Sequence, residues 1–243
     1  VVSKDSNEIR RTSMELPVRV SVIPTPPRSR RVLWDQYHSL RYPSGYFPRD
    51  ALWVKNEPFD WNADHLYTNF RGLYDHLRYL GYYVEILGEP FTCFDAENYG
   101  TLILVDPEDQ FHDEEHEKLY DDVINKKLSL FVAADWYDLD VMKKIIFFDE
   151  NTRQWWEPVT GGCNLPALNS LLSPFGIAFG ARVFDGTIGF GKNIAHFASG
   201  VGISRFPGAP DDESKMYSFE LNDQSAEIVD QQTKRAAVPI LGL

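Results

Sequence analysis

The sequence predicts an α/β fold in which a parallel β-sheet carries helices on both faces. Three observations predict it along residues 29–243. Short apolar runs alternate with longer amphipathic segments. The apolar runs are nearly unbroken, which is typical of strands buried on both faces. The amphipathic segments have helix-end signals before and after them.

The first 28 residues have a different pattern. Within Glu15–Pro24, apolar residues alternate with polar ones, which predicts one half-buried strand. Pro24–Pro27 predicts a stiff linker. Because one strand cannot form a domain, we interpret residues 1–28 as the end of a preceding β-sandwich-type domain plus a linker. Residues 29–243 form the α/β domain, and the final apolar run suggests a cut through a strand.

The α/β domain begins with the apolar strand Arg31–Trp34, which a long Pro-, Tyr- and Asp-rich loop follows. Tyr67–Leu80 predicts a helix because its apolar residues fall on one face at intervals of three and four. Gly81 is a suitable stop for that helix. Tyr82–Leu87 predicts the next strand. Thr101–Val105 is unbroken and apolar, so it predicts a strand buried on both faces.

The alternation continues in the second half of the chain. His112–Lys127 predicts a helix, because it begins with acids and ends with lysines as the helix dipole favours. Leu128–Ala133 predicts another buried strand, and Asp138–Lys144 and Leu165–Leu172 predict helical turns. Short Gly-rich strands follow from about residue 178, among them Gly202–Phe206 and Val238–Leu243. This order is typical of a Rossmann-like or flavodoxin-like domain, the fold type that class I glutamine amidotransferases also use.

Composition excludes some partners. The 36 acidic and 24 basic residues give a net charge of −12, which repels phosphate backbones, so we predict no nucleic-acid partner. No apolar run approaches the roughly 18 residues of a membrane span. We therefore expect membrane contact only through a segment outside these residues. Cys93 and Cys163 have no metal-type spacing, and whether they pair is left open.

Three predicted strands are followed directly by aspartate, at Asp35, Asp106 and Asp135. Ligands bind at the carboxyl ends of parallel strands, so these residues predict a candidate crevice. Its carboxylates could bind a cation, or one of them could act as a general base. The alternative is that each aspartate caps a helix or makes a turn. The turn Ala133–Trp136 corresponds to the nucleophile turn of amidotransferases. It has no Cys, Ser or flanking Gly, so we predict no catalytic nucleophile there.

Two further motifs suggest chemistry. His112–His116 matches the H-x-x-E-H pattern of some zinc proteases, but acids at a helix start are favoured for dipole reasons alone. We predict no metal site and no cofactor. Gly161–Asn164 could form an anion nest, or a turn with Asn164 as the helix N-cap. Cys163 at this helix start could be a reactive thiol.

Many aromatic side chains fall in loops rather than at periodic core positions. They either pack against another domain or partner, or cover the strand ends of their own domain. The ones singled out are Trp34, Tyr37, Tyr42, Tyr46, Phe47, Trp53, Trp61, Trp136, Trp155 and Trp156.

Several long strings, in collinear order from about Val18 to the end, resemble a known family. They are Arg30–Pro43, Gly45–Asp50, Asp60–Asp95, Phe148–Trp156, Thr160–Gly162 and Val238–Gly242. They are similar to the luminal region that follows the catalytic domain in the site-1 protease family of subtilisin/kexin-like serine proteases. The similarity weakens between about Phe175 and Lys234.

The resemblance implies a non-catalytic luminal module of a serine endopeptidase that cleaves membrane-bound transcription factor precursors. The family's catalytic Asp, His and Ser lie upstream, and no string here matches Gly-Thr-Ser-x-Ala or His-Gly-Thr-His. Location in the Golgi and endoplasmic reticulum lumen is implied, with a membrane anchor outside these residues. The implied partners are the protease's own catalytic domain, a luminal cofactor protein and the protein substrates. Two alternatives stay open, namely an autonomous amidotransferase-like or sugar-binding domain that uses the aspartate crevice, and a pure partner-binding scaffold.

The resemblance also suggests a self-cleavage site. Such proteases favour a basic residue four positions before the cut and an aliphatic residue near it. Arg30, Arg31, Val32 and Leu33 fit that pattern directly after the Pro-rich linker. Against this reading, Val32 and Leu33 belong to a predicted buried strand, where a protease cannot reach them.

Overall fold

The structure is a computed structural model that describes residues 2–5, 8–11, 13–22, 24–39, 65–67, 70–150, 152–157, 160–208 and 215–243. Its N-terminal part begins with an antiparallel hairpin of β1 (Val2–Asp5) and β2 (Glu8–Arg11). In chain order, the α/β part then contains β3 (Arg31–Asp35), α1 (Arg71–Tyr79), β4 (Tyr83–Leu87), β5 (Thr101–Val105), α2 (Asp113–Ile124), β6 (Ser129–Ala133) and α3 (Leu139–Met142).

The half-buried strand predicted within Glu15–Pro24 is wrong. Residues 13–22 have no regular secondary structure, and Val18, Val20 and Val22 are 75–90% exposed. Alternation produces a strand only when a neighbouring strand takes up the backbone hydrogen bonds, and no described strand pairs with this segment. Assignment of residues 1–28 to a preceding domain stays a prediction.

A parallel four-stranded sheet forms the centre of the α/β part, with the strand order β4-β3-β5-β6. The two central strands, β3 and β5, are the apolar runs with the strongest burial. The expectation that Leu128–Ala133 is a fully buried strand is wrong, because β6 lies at the edge of this sheet and Phe131 is exposed. Strand order, which local sequence does not encode, decides this burial.

Helices cover both faces of the sheet, as predicted. On one face Val32 and Trp34 of β3 pack with Ile103 of β5 and with Leu73 and Leu77 of α1. On the opposite face the alternate residues Leu33, Leu102 and Leu104 pack with Leu119 of α2 and Leu171 of α4 (Leu165–Leu172). Successive side chains along a strand point to opposite faces of the sheet, so they pack into two different cores.

The C-terminal part is more regular than the predicted set of short strands. After α3 the chain contains β7 (Phe147–Asp149), β8 (Gln154–Trp156), α4, β9 (Ala178–Phe179), β10 (Phe184–Phe190), β11 (Asn193–Gly200), β12 (Ile203–Arg205), β13 (Met216–Asp223), α5 (Gln224–Asp230) and β14 (Arg235–Gly242). Four of these strands form an antiparallel sheet in the order β11-β10-β13-β14, around a core of Phe184, Ile188, Leu221 and Val238. Among the described residues, no helix has the length and apolar character that would let it cross a membrane.

Candidate functional site

The three strand-end aspartates lie after adjacent parallel strands, since β3, β5 and β6 are neighbours in the sheet. Asp35 ends β3, Asp106 directly follows β5, and Asp135 lies two residues beyond β6. The structure therefore places all three at the carboxyl edge, as the sequence indicates. Asp35 and Asp135, however, have different hydrogen-bond partners, and these partners define what the edge can do.

Asp35 belongs to a buried chain of ionisable groups that also contains His38 and Glu115. The Oδ2 atom of Asp35 lies 2.8 Å from Nδ1 of His38, and Nε2 of His38 lies 3.3 Å from a carboxylate oxygen of Glu115. All three side chains are buried. The imidazole ring also packs against the rings of Phe91 and Phe111, with centroids 4.7 and 4.3 Å away. Aromatic walls of this kind exclude water from the carboxylate–imidazole contacts.

Local sequence positions Glu115 for this contact. His112 precedes α2 as its N-cap, and its backbone N–H donates to Glu115 at 2.9 Å, which closes a capping box. The backbone N–H of Phe91 donates to the other carboxylate oxygen at 2.8 Å. Glu115 thus joins the start of α2 to the loop after β4 and to His38. These contacts fix the Glu115 carboxylate in one position.

The surroundings set the protonation of this cluster. Burial disfavours the imidazolium, but the Asp35 and Glu115 carboxylates outweigh it and raise the pKa of His38. Burial alone would raise the pKa of Glu115. The hydrogen bonds from the backbone N–H groups of His112 and Phe91, together with the His38 ring, outweigh burial and lower this pKa. Burial raises the pKa of Asp35 against the opposing effect of His38. The cluster therefore holds a proton on His38 more strongly than an exposed histidine would.

His38 was not identified by the sequence analysis. A single histidine three residues after a strand matches no spacing motif, and the signal that could have found it is the Asp-x-x-His pattern at a strand end. Its backbone carbonyl also accepts hydrogen bonds from the N–H groups of Glu108 and Asp109, at 2.8 and 3.0 Å. His38 thereby fixes the loop that follows β5, so it links two of the three strand ends.

Asp135 occupies the turn after β6, where amidotransferases carry their nucleophile. Its Oδ1 atom accepts a hydrogen bond from the Ser199 hydroxyl at 3.0 Å, and burial raises the pKa of its carboxyl. A Cβ on Gly162 would lie 2.6 Å from Oδ2, so only glycine fits there without a shift. Asp135 also forms a β-bridge with Gly200, which connects the two sheets. These contacts are those of a structural carboxylate.

Cys163 cannot act as the reactive thiol that its helix-start position suggested. The thiol is fully buried, and its Sγ lies 3.5 Å from the carbonyl oxygen of Pro107. Burial raises its pKa strongly, and the negative charges of Asp106 and Asp135 add to this effect. The alternative reading of this turn is confirmed, since the Asn164 side chain accepts from the N–H of Ala167 as the N-cap of α4. Cys163 and Cys93 are both free cysteines.

The H-x-x-E-H motif is not arranged as a zinc site. His112 is the extended N-cap residue and lies outside the helix, whereas His116 lies within α2. Glu115 points into the buried cluster described above. Within the described ranges, no group of three or more His, Cys, Asp or Glu side chains is arranged to hold a metal ion.

The residues of the suggested self-cleavage site lie in and next to β3. Val32 and Leu33 are 3% and 2% exposed in the central strand. Arg31 pairs with Glu85 at 2.7 Å, and Arg30 donates to the carbonyl of Leu80 at 3.0 Å. A protease needs an extended, accessible segment, so cleavage there requires the sheet to open. Self-cleavage stays a prediction for an unfolded form.

The loop aromatics fall into different environments. Trp34 is buried in the core, whereas Trp155 and Trp156 are exposed on the β7–β8 hairpin. Trp136 packs closely over Gly161, where a Cβ would lie 3.1 Å from its ring. Five of the aromatics lie outside the described residues, namely Tyr42, Tyr46, Phe47, Trp53 and Trp61.

Comparison with known proteins identifies relatives of the whole chain. The family described as "MBTPS1, fourth GATase-like domain" matches residues 26–240, where GATase denotes a glutamine amidotransferase. The chain is 51% identical over 243 residues, 99% of its length, to the Homo sapiens protein named "Membrane-bound transcription factor site-1 protease", and covers 23% of it. It is 53% identical over 233 residues, 96% of its length, to the Rattus norvegicus protein of the same name, and covers 22% of that protein.

A plant relative shows the same relation. The Arabidopsis thaliana "Subtilisin-like protease SBT6.1" is 53% identical over 216 residues, which is 89% of this chain and 20% of that protein. The chain therefore spans about a fifth of the length of the curated relatives that it matches.

Proposed function

Because this chain belongs to the family of the fourth glutamine amidotransferase-like domain of site-1 proteases, we propose that it works as a non-catalytic luminal module of a subtilisin-like serine endopeptidase. In this proposal the module stabilises the catalytic domain or docks partners, and the peptide-bond chemistry occurs elsewhere in the protease. The proposed substrates are membrane-bound transcription factor precursors, since the names of the mammalian relatives contain the words membrane-bound transcription factor.

One observation carries the non-catalytic assignment. The turn after β6, where amidotransferases carry a nucleophile, contains Asp135 held by Ser199 and by close packing on Gly162. The nearby thiol of Cys163 is buried with a raised pKa, so it is protonated at neutral pH. The Asp35, His38 and Glu115 cluster is enclosed by aromatic rings. These groups support the fold, and none of them presents a nucleophile to solvent.

The remaining parts of the proposal follow from the family. The module works in the Golgi and endoplasmic reticulum lumen, and the protease is held at the membrane by a segment outside residues 1–243. Its partners are the protease's own catalytic domain, a luminal cofactor protein and the protein substrates. In this proposal the catalytic triad of the protease lies outside residues 1–243.

Substitution in the crevice tests the proposal. We expect full-length protease with Asp106→Asn and Asp135→Asn together to hydrolyse a peptide substrate with kcat and KM within about twofold of wild type. Asp109→Asn, at an exposed residue of the neighbouring loop, is the matched control. A drop of more than about tenfold in kcat, with the domain still folded, would show that the crevice takes part in catalysis. Loss of a glutaminase or sugar-binding activity in the double variant would instead favour the autonomous amidotransferase-like reading.

A further inference from the structure

The β7–β8 hairpin presents an ordered pair of aromatic rings. Phe148 lies opposite Trp155 in the antiparallel register, and their ring centroids are 5.5 Å apart in an edge-to-face arrangement. At the turn, the N–H of Thr152 donates to Asp149 at 3.1 Å, and the indole N–H of Trp156 donates to the Thr152 hydroxyl at 3.1 Å. Side-chain hydrogen bonds therefore hold the hairpin in shape. We call the surface formed by Phe148 and Trp155 the aromatic face.

The two rings of the aromatic face are exposed, although large aromatic side chains are usually buried in a domain core. Trp155 is 68% exposed and Phe148 is 47% exposed, and the preceding residues Ile145 and Ile146 are exposed as well. A hairpin with three residues in each strand has little stability of its own in water. Ordered exposed aromatic groups of this kind mark contact surfaces, because burial of such rings releases a large hydrophobic free energy.

We propose that the aromatic face docks onto an apolar surface elsewhere in the same protease polypeptide, outside residues 1–243. This inference rests on the proposed function, in which the chain is one module of a longer protease. This chain covers 22–23% of the mammalian relatives, so in this proposal most of the protease polypeptide lies outside residues 1–243 and supplies the apolar surface.

The size of the aromatic face and the charge of the chain favour docking within the same polypeptide over contact with a separate protein, a second copy of the chain or a membrane. Two rings and their neighbours offer far less than the roughly 1,200 Å² that a stable contact between separate proteins buries. Tethering within one polypeptide raises the effective concentration to about the millimolar range, so a small face is sufficient. The net charge of −12 repels both a second copy of the chain and an anionic membrane surface.

Site-specific photo-crosslinking in the full-length protease tests the proposal. p-Benzoylphenylalanine replaces Trp155 in one variant and Gln154 in the control, because Gln154 is also exposed but points to the opposite face of the same strand. After irradiation, we expect mass spectrometry to join position 155 to a peptide of the same polypeptide outside this region. The yield should exceed that from position 154 severalfold.

Several outcomes overturn the proposal. They are a covalent dimer, a crosslink to lipid or detergent, a crosslink to a separate protein, and equal yields from the two positions. Hydroxyl-radical footprinting of the wild-type protease gives a check that needs no substitution. Trp155 should be oxidised severalfold more slowly than Tyr79, which is 85% exposed in this domain. Faster oxidation of Trp155 than of Tyr79 contradicts docking.

The two proposals fail separately. The crevice experiment reports on catalysis and does not depend on whether the aromatic face is covered. Loss of the crosslink with unchanged crevice kinetics therefore removes the docking inference and leaves the non-catalytic assignment in place.

Discussion

Truncation of Glu115 to alanine is the strongest perturbation that the structure offers. The substitution removes the acceptor for the backbone N–H groups of Phe91 and His112, and it removes the carboxylate next to His38. Each buried donor left without an acceptor costs about 1–3 kcal/mol. Loss of the charge contact with His38 adds less, because the Asp35 carboxylate still lies 2.8 Å from the imidazole. The two orphaned donors carry most of the loss, so we expect Glu115→Ala to lower the free energy of unfolding of this domain by about 2–6 kcal/mol.

Urea unfolding of the purified domain, followed by tryptophan fluorescence, measures this loss. Glu114→Ala is the matched control, because Glu114 is the adjacent residue in the first turn of α2 but is exposed. The control loses only the interaction with the helix dipole, which is about 0.3–1 kcal/mol. If Glu115→Ala unfolds within about 0.5 kcal/mol of the control, the buried cluster does not stabilise the domain and our reasoning is wrong.

Three further predictions follow from individual side chains. Since the pKa of His38 is raised, its stabilising contribution is fully present below the ordinary histidine pKa of about 6.5 and is lost as the pH rises through the higher folded value. The Tm of the wild-type domain should therefore fall as the pH rises from about 6.5 into the alkaline range. The fall should be smaller in His38→Gln, and an equal fall in wild type and variant would contradict this prediction. In the native protein a thiol reagent should label Cys93 and leave Cys163 unmodified, and labelling of both at similar rates would contradict the buried position. Gly162→Ala should destabilise by about 1–3 kcal/mol, since its Cβ would lie 2.6 Å from a carboxylate oxygen. Gly72→Ala, a helical position with no atom within 4 Å, should stabilise by about 0.5–1 kcal/mol. The two glycine variants are compared by their urea unfolding midpoints. A loss of stability in both would show that local contacts do not decide whether alanine stabilises or destabilises the domain.

Sequence periodicity was sufficient for the central architecture. The runs of β3 and β5 are apolar at every buried position except Asp35, so their assignment as strands does not depend on context. Helix-end signals placed α2 and α4, because the acids at the start of α2 and the N-cap Asn164 of α4 are local features. The same signals could not show that β6 is an edge strand, because strand order depends on long-range pairing.

Two other features required the three-dimensional structure. The antiparallel sheet pairs the β10–β11 hairpin with the later strand β13, and glycines interrupt β10, so its alternation signal is weak. Strand-end positions predicted that Asp35 and Asp135 lie at the sheet edge. Their partners, His38 and Ser199, were not predictable, because they come from a loop and from the second sheet.

The most direct test of a supporting, non-catalytic role uses full-length protease with Glu115→Ala and Glu114→Ala. The concentration of active sites is titrated with a covalent serine-protease inhibitor, and activity is then followed during heating. We predict that kcat per titrated site is the same in both variants, while the Glu115→Ala protease loses activity severalfold faster because its supporting domain unfolds first. A fall in kcat per site while this domain is still folded would contradict the account. An unchanged inactivation rate although the domain has unfolded would also contradict it.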